Sequence, residues 1–270
     1  MRALYGLKSS GARFRDHLAQ TLRDAGFTGC KADPDVWFRP AVKLNGEKVY
    51  EYALCYVDDV IYQGLDPKKF MSMLSMVYTL KEGSVKEPEN YLGADIRKHE
   101  LSGGKMAWAL SSDTYVKRAV EEVERELELI GQALKKKVVT PIASGYRPEF
   151  DASPELDERR SSYYASLMGV LRWIIELGRI DIIVEVGLLA RFQACPREGH
   201  LEQMFHIFAY LKKYCRSTLV FDWTEPWFDE SQFKECDWKE FYPGAAEAIP
   251  PNMPEPRGKS VTTTCFVDAD

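Results

Sequence analysis

The chain has 270 residues and a mass of 30.9 kDa, which is long for one domain of roughly 100–200 residues and favours two folded units. Hydrophobic residues make up 45% and charged residues 29%, a composition that excludes a wholly disordered chain. No stretch reaches the roughly 18 consecutive apolar residues of a membrane span, and no apolar run follows Met1. The sequence therefore predicts an intracellular, cytoplasmic protein without a secretory signal or membrane contact.

The net charge of −5 argues against indiscriminate binding to nucleic acid. Residues 224–257 hold eight acids and three bases, so this stretch carries the whole net charge. Residues 1–50 hold nine bases and five acids. Because mixed charges are typical of any solvated surface, charge alone favours an ordinary surface over a polyanionic partner.

The first half of the chain predicts helices alternating with hairpins. A helix is expected from Ser10 to Ala25, where apolar residues recur every four positions until Gly26. The runs 49–57 and 60–62 are rich in aromatic and β-branched residues, which predicts a β-hairpin with Asp58 and Asp59 at its tip. A second helix is expected over 66–80.

The rest of the sequence predicts a second hairpin and then helices. Residues 91–96 and 106–110 form the hairpin pattern, with a turn at 102–104. Apolar residues from Val116 to Leu134 then step by three and four, which predicts an amphipathic helix over 113–137 that ends in three lysines. Three further helices are expected at 161–177, 180–192 and 196–214, followed by an acidic, proline-rich linker over 224–260.

Two adjacent carboxylates inside an apolar hairpin must face water, accept a proton or bind a cation, because burying an unpaired carboxylate costs several kcal/mol. Magnesium is commonly held by one or two carboxylates together with substrate phosphates. An exposed Asp-Asp turn is the simpler interpretation of the spacing alone. The residues around the pair favour metal binding over a simple exposed turn.

Those residues resemble a known family. Tyr56-Val57-Asp58-Asp59 resembles the YxDD box of reverse transcriptases, and the segment 4–10 is similar to the LYGLKQS segment of copia-type retrotransposon polymerases. Tyr91-Leu92-Gly93 looks like the start of the primer-grip hairpin of that family. The resemblance extends over residues 1–215, and several boxes in the right order are more specific than one short box.

The resemblance implies an α+β fold with part of a right-hand polymerase palm, whose β-hairpin carries the YVDD box, followed by a mostly helical thumb and connection. Its implied activity is RNA-directed DNA synthesis from an RNA template, a DNA primer and dNTPs, in a virus-like particle if the element is intact. The implied segments are partial fingers and palm (1–111), thumb (112–145), helical connection (146–223), acidic linker (224–260) and the truncated start of an RNase H domain (261–270).

The resemblance also assigns roles to single residues. Asp58 and Asp59 would be catalytic ligands of a two-magnesium site that is incomplete in this chain. The remaining implied contacts are the primer end (Tyr56, Val57), the incoming nucleotide and template (Gly6, Lys8, Ser10), the primer grip (Tyr91, Leu92, Gly93) and the first metal-binding aspartate of RNase H (Asp268).

The chain departs from the family at a few positions. Ser9 stands where the family commonly has Gln, and Gly11 where it has Pro. The family has a further catalytic aspartate upstream of the LYGLK segment, and no residue here matches it. We therefore expect a fragment that depends on other polyprotein segments, or alternatively a non-catalytic remnant with at most weak nucleic-acid binding.

The sequence disfavours two other classes of protein, a nucleotide hydrolase and a zinc-binding protein. Gly258-Lys259-Ser260 resembles the end of a phosphate-binding loop, but Met253 stands where that motif needs glycine. Cys195, His200 and His206 lack the tight spacing of a zinc site.

Overall fold

The computed structural model describes residues 8–224, 229, 231, 237, 239–245 and 250–260. The chain divides into two compact units, one formed by residues 1–86 with 224–270 and the other by residues 87–223. Within the described part of the chain, no helix is both long enough and apolar enough to cross a bilayer. Helices and antiparallel strands occur in both units, so the predicted α+β class is confirmed.

The first unit combines two helices with an antiparallel sheet. The strands lie in the order β1-β2-β3-β4, so each strand pairs with its neighbour in sequence. The predicted helices and the predicted hairpin are therefore present. Their bounds are α1 (Ser10–Asp24), β1 (Thr28–Gly29), β2 (Val36–Val42), β3 (Lys48–Tyr56), β4 (Asp59–Gln63) and α2 (Pro67–Val77).

The ends of these helices follow local rules. After α1, Gly26 adopts a φ of +85°, and the next amide, that of Phe27, donates to the carbonyl of Leu22 at 2.9 Å. This glycine-terminated helix end is the stop that the sequence predicts. Asp66 caps α2, because its carboxylate accepts a hydrogen bond from the amide of Lys69 at 2.9 Å.

Burial alternates from Glu51 to Tyr56 of β3, as expected for a strand with one face on a core. Glu51, Ala53 and Cys55 are buried, whereas Tyr52 and Tyr56 are exposed. Both helices pack their apolar stripes on the buried face, because burial of such side chains is the main driving force of folding. The core of this unit contains Leu18, Leu22, Phe27, Trp37, Ala53, Cys55, Phe70 and Leu74.

Glu51 is the buried charge of this core, with only 4% of its surface exposed. The Arg39 guanidinium, directly opposite on β2, donates to it at 2.6 Å. The Tyr62 hydroxyl and the Leu65 amide donate to its other oxygen at 2.7 and 2.9 Å. A buried carboxylate is tolerated when it is paired in this way, so Glu51 joins three strands and the loop before α2.

The second unit begins with an antiparallel sheet and ends with a helical layer. The sheet order is β5-β6-β7-β8, in which the last strand arrives from a distant part of the sequence. The bounds are β5 (Asn90–Tyr91), β6 (Ala94–Glu100), β7 (Met106–Ser111), α3 (Asp113–Leu129), α4 (Glu158–Glu176), α5 (Ile183–Ala190), α6 (Glu198–Lys213) and β8 (Thr218–Val220).

One strand prediction changes in this sheet. The expected strand 91–96 is two strands, because Leu92 and Gly93 have φ values of +53° and +91° and form a tight turn. The first compact unit ends at residue 86. Because β7 pairs with β8, this sheet belongs to the same unit as the helices that lie between the two strands in sequence.

The predicted helix 113–137 is shorter than expected. It ends at Leu129, and Gly131 follows with a φ of +70°. The amide of Gln132 donates to the carbonyl of Leu127 at 2.8 Å, which closes the helix with a glycine cap. The three lysines at 135–137 therefore lie on the following loop and do not complement the helix dipole. The sequence prediction missed this because Leu134 is buried and keeps the apolar period beyond the helix end.

The helices of the second unit share one core, to which α3, α4, α5 and α6 all contribute. Arg179, which is 1% exposed, stabilises the turn after α4. Its guanidinium donates to both carboxylate oxygens of Asp181 at 2.8 and 2.7 Å and to the carbonyl of Tyr214 at 2.9 Å. Burial raises the pKa of Asp181, but the hydrogen bonds and charge of Arg179 outweigh that effect and lower it. The Arg179–Asp181 ion pair therefore has a structural role.

Part of the predicted acidic linker lies against β3. The Tyr50 hydroxyl donates to the carbonyl of Glu255 at 2.7 Å, and the amide of Gly258 donates to the carbonyl of Lys48 at 2.8 Å. Arg257 lies over the Tyr50 ring at 5.5 Å. The described residues 250–260 are therefore docked on the first unit.

The close approach of Gly64 to the Glu51 network gives a first prediction. A Cβ atom at position 64 would overlap the Tyr62 hydroxyl and lie 2.9 Å from Glu51 Oε1. The Tyr62 ring cannot retreat easily, because it stacks on Phe70 at 4.1 Å. We expect Gly64→Ala to destabilise the first unit by about 2 kcal/mol or more, measured by hydrogen exchange of peptides from 48–63.

The matched control is Gly11→Ala in α1, where an added Cβ meets no atom within 4 Å. Alanine favours a helix by about 0.8–1 kcal/mol over glycine, so this variant should be neutral or stabilising. Equal destabilisation by the two substitutions would contradict the assigned overlap at Gly64.

The pH dependence of the first unit gives a second prediction. Burial raises the pKa of Glu51, but hydrogen bonds from Tyr62, Leu65 and Arg39 outweigh burial and lower it below its ordinary value of 4.5. A carboxylate with a lowered folded pKa stabilises fully above its unfolded pKa and loses that stabilisation as the pH falls through the folded value. Acidification below about 4.5 should therefore weaken the first unit.

Glu51→Gln should remove this acid dependence, because the amide does not titrate. At pH 7 the variant should be less stable by about 2 kcal/mol, since it loses a charged partner of Arg39. The difference from the native chain should narrow as the pH falls. Hydrogen exchange of the first sheet from pH 7 to pH 3 measures this difference, corrected for intrinsic exchange. Glu82→Gln, at an exposed position of the same unit, is the control. A constant difference across this range would contradict the assignment.

Candidate metal-binding hairpin

The candidate site lies at the tip of the hairpin formed by β3 and β4. Tyr56 pairs with Asp59, so only Val57 and Asp58 reverse the chain between the strands. Asp58 is therefore the second residue of the turn, and Asp59 begins β4. All four residues of this segment are exposed. The hairpin predicted from the sequence thus presents both carboxylates to solvent.

The turn contains an unusual backbone conformation. Val57 has a φ of +54°, whereas Asp58 is not among the described residues with a positive φ. A left-handed first residue followed by an ordinary second residue is the pattern of a type II′ turn, which favours glycine at the first position. A β-branched residue in this conformation is strained by about 1–3 kcal/mol. The surrounding strands therefore hold the turn in place.

The carboxylates of Asp58 and Asp59 are suited to a hard cation. Neither makes a hydrogen bond or an ion pair within the part of the chain that the structure describes. Oxygen ligands of this type fit magnesium. However, the described residues contain no group of three or more His, Cys, Asp or Glu side chains that could hold a metal ion. The pair fits part of a magnesium site and requires further ligands from elsewhere.

A cleft of about 340 Å³ adjoins the turn, between the first half of α1 and the end of β3. Tyr56 and Val57 line one side of the cleft, and Arg15 and Asp35 line another. Arg15 donates to Asp35 at 2.8 Å. The sequence analysis did not place this ion pair beside the hairpin, because a separation of twenty residues between two elements carries no periodic signal.

Cys55 also lines this cleft but is chemically unreactive. Burial, with a smaller effect from the negative charge of Asp35, raises the pKa of its thiol to about 12. A thiol with such a pKa stays protonated near neutral pH and is a poor nucleophile or metal ligand. Its role is packing.

The structure places the other predicted site residues on separate elements. Ser10 begins α1, whose first turns line the cleft beside Tyr56 and Val57, and Lys8 lies just before that helix. The primer-grip prediction falls on a turn of the second unit, where a Cβ at Gly93 would meet Tyr115 of α3 at 3.6 Å and Trp173 of α4 at 3.8 Å. Gly6 and Asp268 lie outside the described residues.

Comparison with known proteins finds transposon proteins. The chain is 30% identical over 213 residues to the putative transposon Ty5-1 protein of Saccharomyces cerevisiae, covering 77% of this chain and 62% of that protein. It is 26% identical over 232 residues to the retrovirus-related Pol polyprotein from transposon TNT 1-94 of Nicotiana tabacum, covering 83% of this chain and 16% of that protein. It is also 26% identical over 216 residues to the retrovirus-related Pol polyprotein from transposon RE1 of Arabidopsis thaliana, covering 78% of this chain and 13% of that protein.

These relatives are transposon proteins, two of them Pol polyproteins, and they support the predicted retrotransposon origin. The chain spans 62% of the length of the yeast relative and only 16% and 13% of the two plant polyproteins. No family model matches the chain, and no solved structure matches it significantly. The chain is thus similar to transposon proteins over most of its own length.

The strained turn generates a third prediction. Val57→Gly should stabilise the hairpin by roughly 0.5–1 kcal/mol, because relief of about 1–3 kcal/mol of strain exceeds the entropic penalty of glycine. Val57→Ala is the matched control, since alanine keeps the Cβ atom and therefore most of the strain. Hydrogen exchange of the 48–63 peptide measures both variants. A greater stabilisation by alanine than by glycine would contradict the assigned turn conformation.

Proposed function

We propose that this chain is part of a reverse transcriptase, an RNA-directed DNA polymerase, and that its first unit carries part of the polymerase palm. The observation that carries the proposal is the pair Asp58 and Asp59, exposed side by side at the tip of a tight antiparallel hairpin. The Pol polyprotein relatives support it, because a Pol-type enzyme needs such carboxylates for nucleotidyl transfer. The proposed substrates are an RNA template, a DNA primer and dNTPs.

In this proposal Asp58 and Asp59 hold magnesium. When bound to these carboxylates, magnesium would supply Lewis-acid stabilisation of the charge that develops during nucleotidyl transfer. The protein's own contribution is position: pairing of Tyr56 with Asp59 fixes both carboxylates on one short segment. The exposed Tyr56 and Val57 side chains offer an apolar surface beside the carboxylates, suited to a primer end.

The proposal includes dependence on other ligands. Two adjacent carboxylates without a third protein ligand bind magnesium weakly, since magnesium also relies on substrate phosphates and water. Because no third such residue joins Asp58 and Asp59 in the described part of the chain, another polyprotein segment would supply it. The isolated chain should therefore bind magnesium only weakly. The alternative, a non-catalytic remnant, predicts the same weak binding.

A second surface supports contact with a nucleic-acid backbone. Lys135, Lys136 and Lys137 are exposed on the loop after α3, and Lys213 at the end of α6 donates to the carbonyl of Val138 in the same loop at 2.8 Å. Lysines bind phosphates without reading the base sequence, and such binding weakens with salt. The proposed thumb role of residues 112–145 is therefore supported by this basic loop and not by a basic helix end.

The test uses the tobacco polyprotein, with its aligned segment replaced by residues of this chain and the unaltered polyprotein as reference. Primer extension is measured on a primed poly(rA) template with magnesium. We expect activity in the chimera and a loss on the order of a hundredfold or more in Asp58→Asn, because an amide cannot supply the same charge to the metal. Magnesium-dependent activity that survives Asp58→Asn would contradict the proposal.

Asp33→Asn is the matched control for this experiment. Asp33 is exposed in the same unit, and its side-chain oxygen accepts a hydrogen bond from the Asp35 amide at 2.9 Å, which asparagine can also accept. We expect this variant to retain the activity of the chimera. An inactive chimera beside an active reference polyprotein would favour the non-catalytic remnant.

A further inference from the structure

A long groove lies between α3 and α4 in the second unit. Both helices pack on α6, and the space between them has a volume of about 850 Å³. Its floor is apolar, formed by Val123, Leu167 and Phe208. Tyr163 and Val170 of α4 extend that apolar surface up one wall. None of these residues belongs to the hairpin or the basic loop discussed above.

The apolar surface continues past the end of α3. Leu129, which lines the groove, is 80% exposed, and the neighbouring Ile130 is 65% exposed. Both are large apolar side chains in contact with water at one end of the groove. Large apolar surface that adjoins a concave, polar-rimmed groove is typical of a protein-binding site.

The α3 wall carries most of the charge of the groove. Glu122, Glu126 and Glu128 line it together with one base, Arg125, and all four are exposed. The residues of α4 and α6 that line the groove are uncharged. Burial, together with a smaller effect of the negative charge of Glu126, raises the pKa of Tyr163 to about 12.

This combination selects among possible occupants. A nucleic acid would bring its phosphates against three glutamates, which is unfavourable. A positively charged partner would be attracted by them. The groove-lining residues of α3 from Ala119 to Leu129 cover about three helical turns, or roughly 15 Å. This length suits a helix that inserts an i, i+4, i+7 apolar stripe into the groove.

We propose that the groove between α3 and α4 binds an amphipathic helix of a partner protein, whose apolar stripe is flanked by lysine or arginine. The stripe fills the apolar floor and covers Leu129, while the basic flanks pair with Glu122 and Glu126. This interaction does not depend on the metal-binding hairpin. It gives the second unit a protein-binding role in addition to its proposed contact with nucleic acid.

The test measures binding of labelled 18-residue peptides to the full chain by fluorescence anisotropy at low salt. One peptide has leucine at i, i+3 and i+4 spacing with lysine elsewhere, a second has glutamate in place of lysine, and a third scrambles the first. We expect only the lysine peptide with the intact stripe to bind. Equal binding of the scrambled peptide would overturn the proposal, because binding would then need only charge.

Substitutions on the acidic wall locate the site. Glu122→Lys with Glu126→Lys should weaken the lysine peptide about tenfold and create binding of the glutamate peptide. The matched control is Glu121→Lys with Glu176→Lys, which changes the charge equally at two exposed positions outside the groove, one on α3 and one at the end of α4. The control should bind the lysine peptide within twofold of the native chain.

Three results would overturn the proposal. The control pair could weaken the lysine peptide as much as the groove pair does. A single-stranded DNA oligonucleotide could displace the peptide from the groove. Sedimentation could show a dimer of the native chain that the groove pair abolishes, in which case the occupant is a second copy. Because the substituted glutamates are exposed, circular dichroism should show unchanged helix content in both double variants.

Discussion

The pairing of Tyr56 with Asp59 is the constraint on which the candidate site depends. It leaves two residues to reverse the chain, so Val57 takes a left-handed conformation and Asp58 must lie at the tip. Both carboxylates then face solvent, whatever ligand they bind. The strain at Val57 is tolerated because β3 and β4 are held by backbone hydrogen bonds on either side of the turn. Relieving the strain would require a change in the register of those bonds.

The register of that ladder is fixed well away from the tip. Glu51 is buried against Arg39 and Tyr62 on the two neighbouring strands. A slip by one residue would turn β3 over, expose Ala53 and Cys55, and leave the Arg39 guanidinium without its carboxylate. The buried ion pair therefore contributes to the position of Asp58 more through specificity of pairing than through net stability, since burying charges is itself unfavourable.

Sequence reasoning succeeded where the signal is local and failed where it is not. The helices, both hairpins and the tip position of Asp58 follow from periodicity and turn residues, whereas Asp59, which the sequence predicts in the turn, begins β4. The burial of Glu51 and the groove between α3 and α4 could not be predicted, because their partners come from separate elements. The early end of α3 was missed for a different reason: Gly131 carries the stop signal, but Leu134 continues the apolar period and hides it.

Because α3 is shorter than predicted, its glutamates and the three lysines that follow lie on different elements. With the helix closed at Leu129, its glutamates line the groove against α4, whereas Lys135, Lys136 and Lys137 follow on a loop beside the end of α6. Acidic and basic surfaces on different elements can bind different partners, since each repels what the other attracts. The glycine that ends α3 thus sets the division of the second unit into a basic surface suited to phosphates and an acidic groove suited to a basic helix.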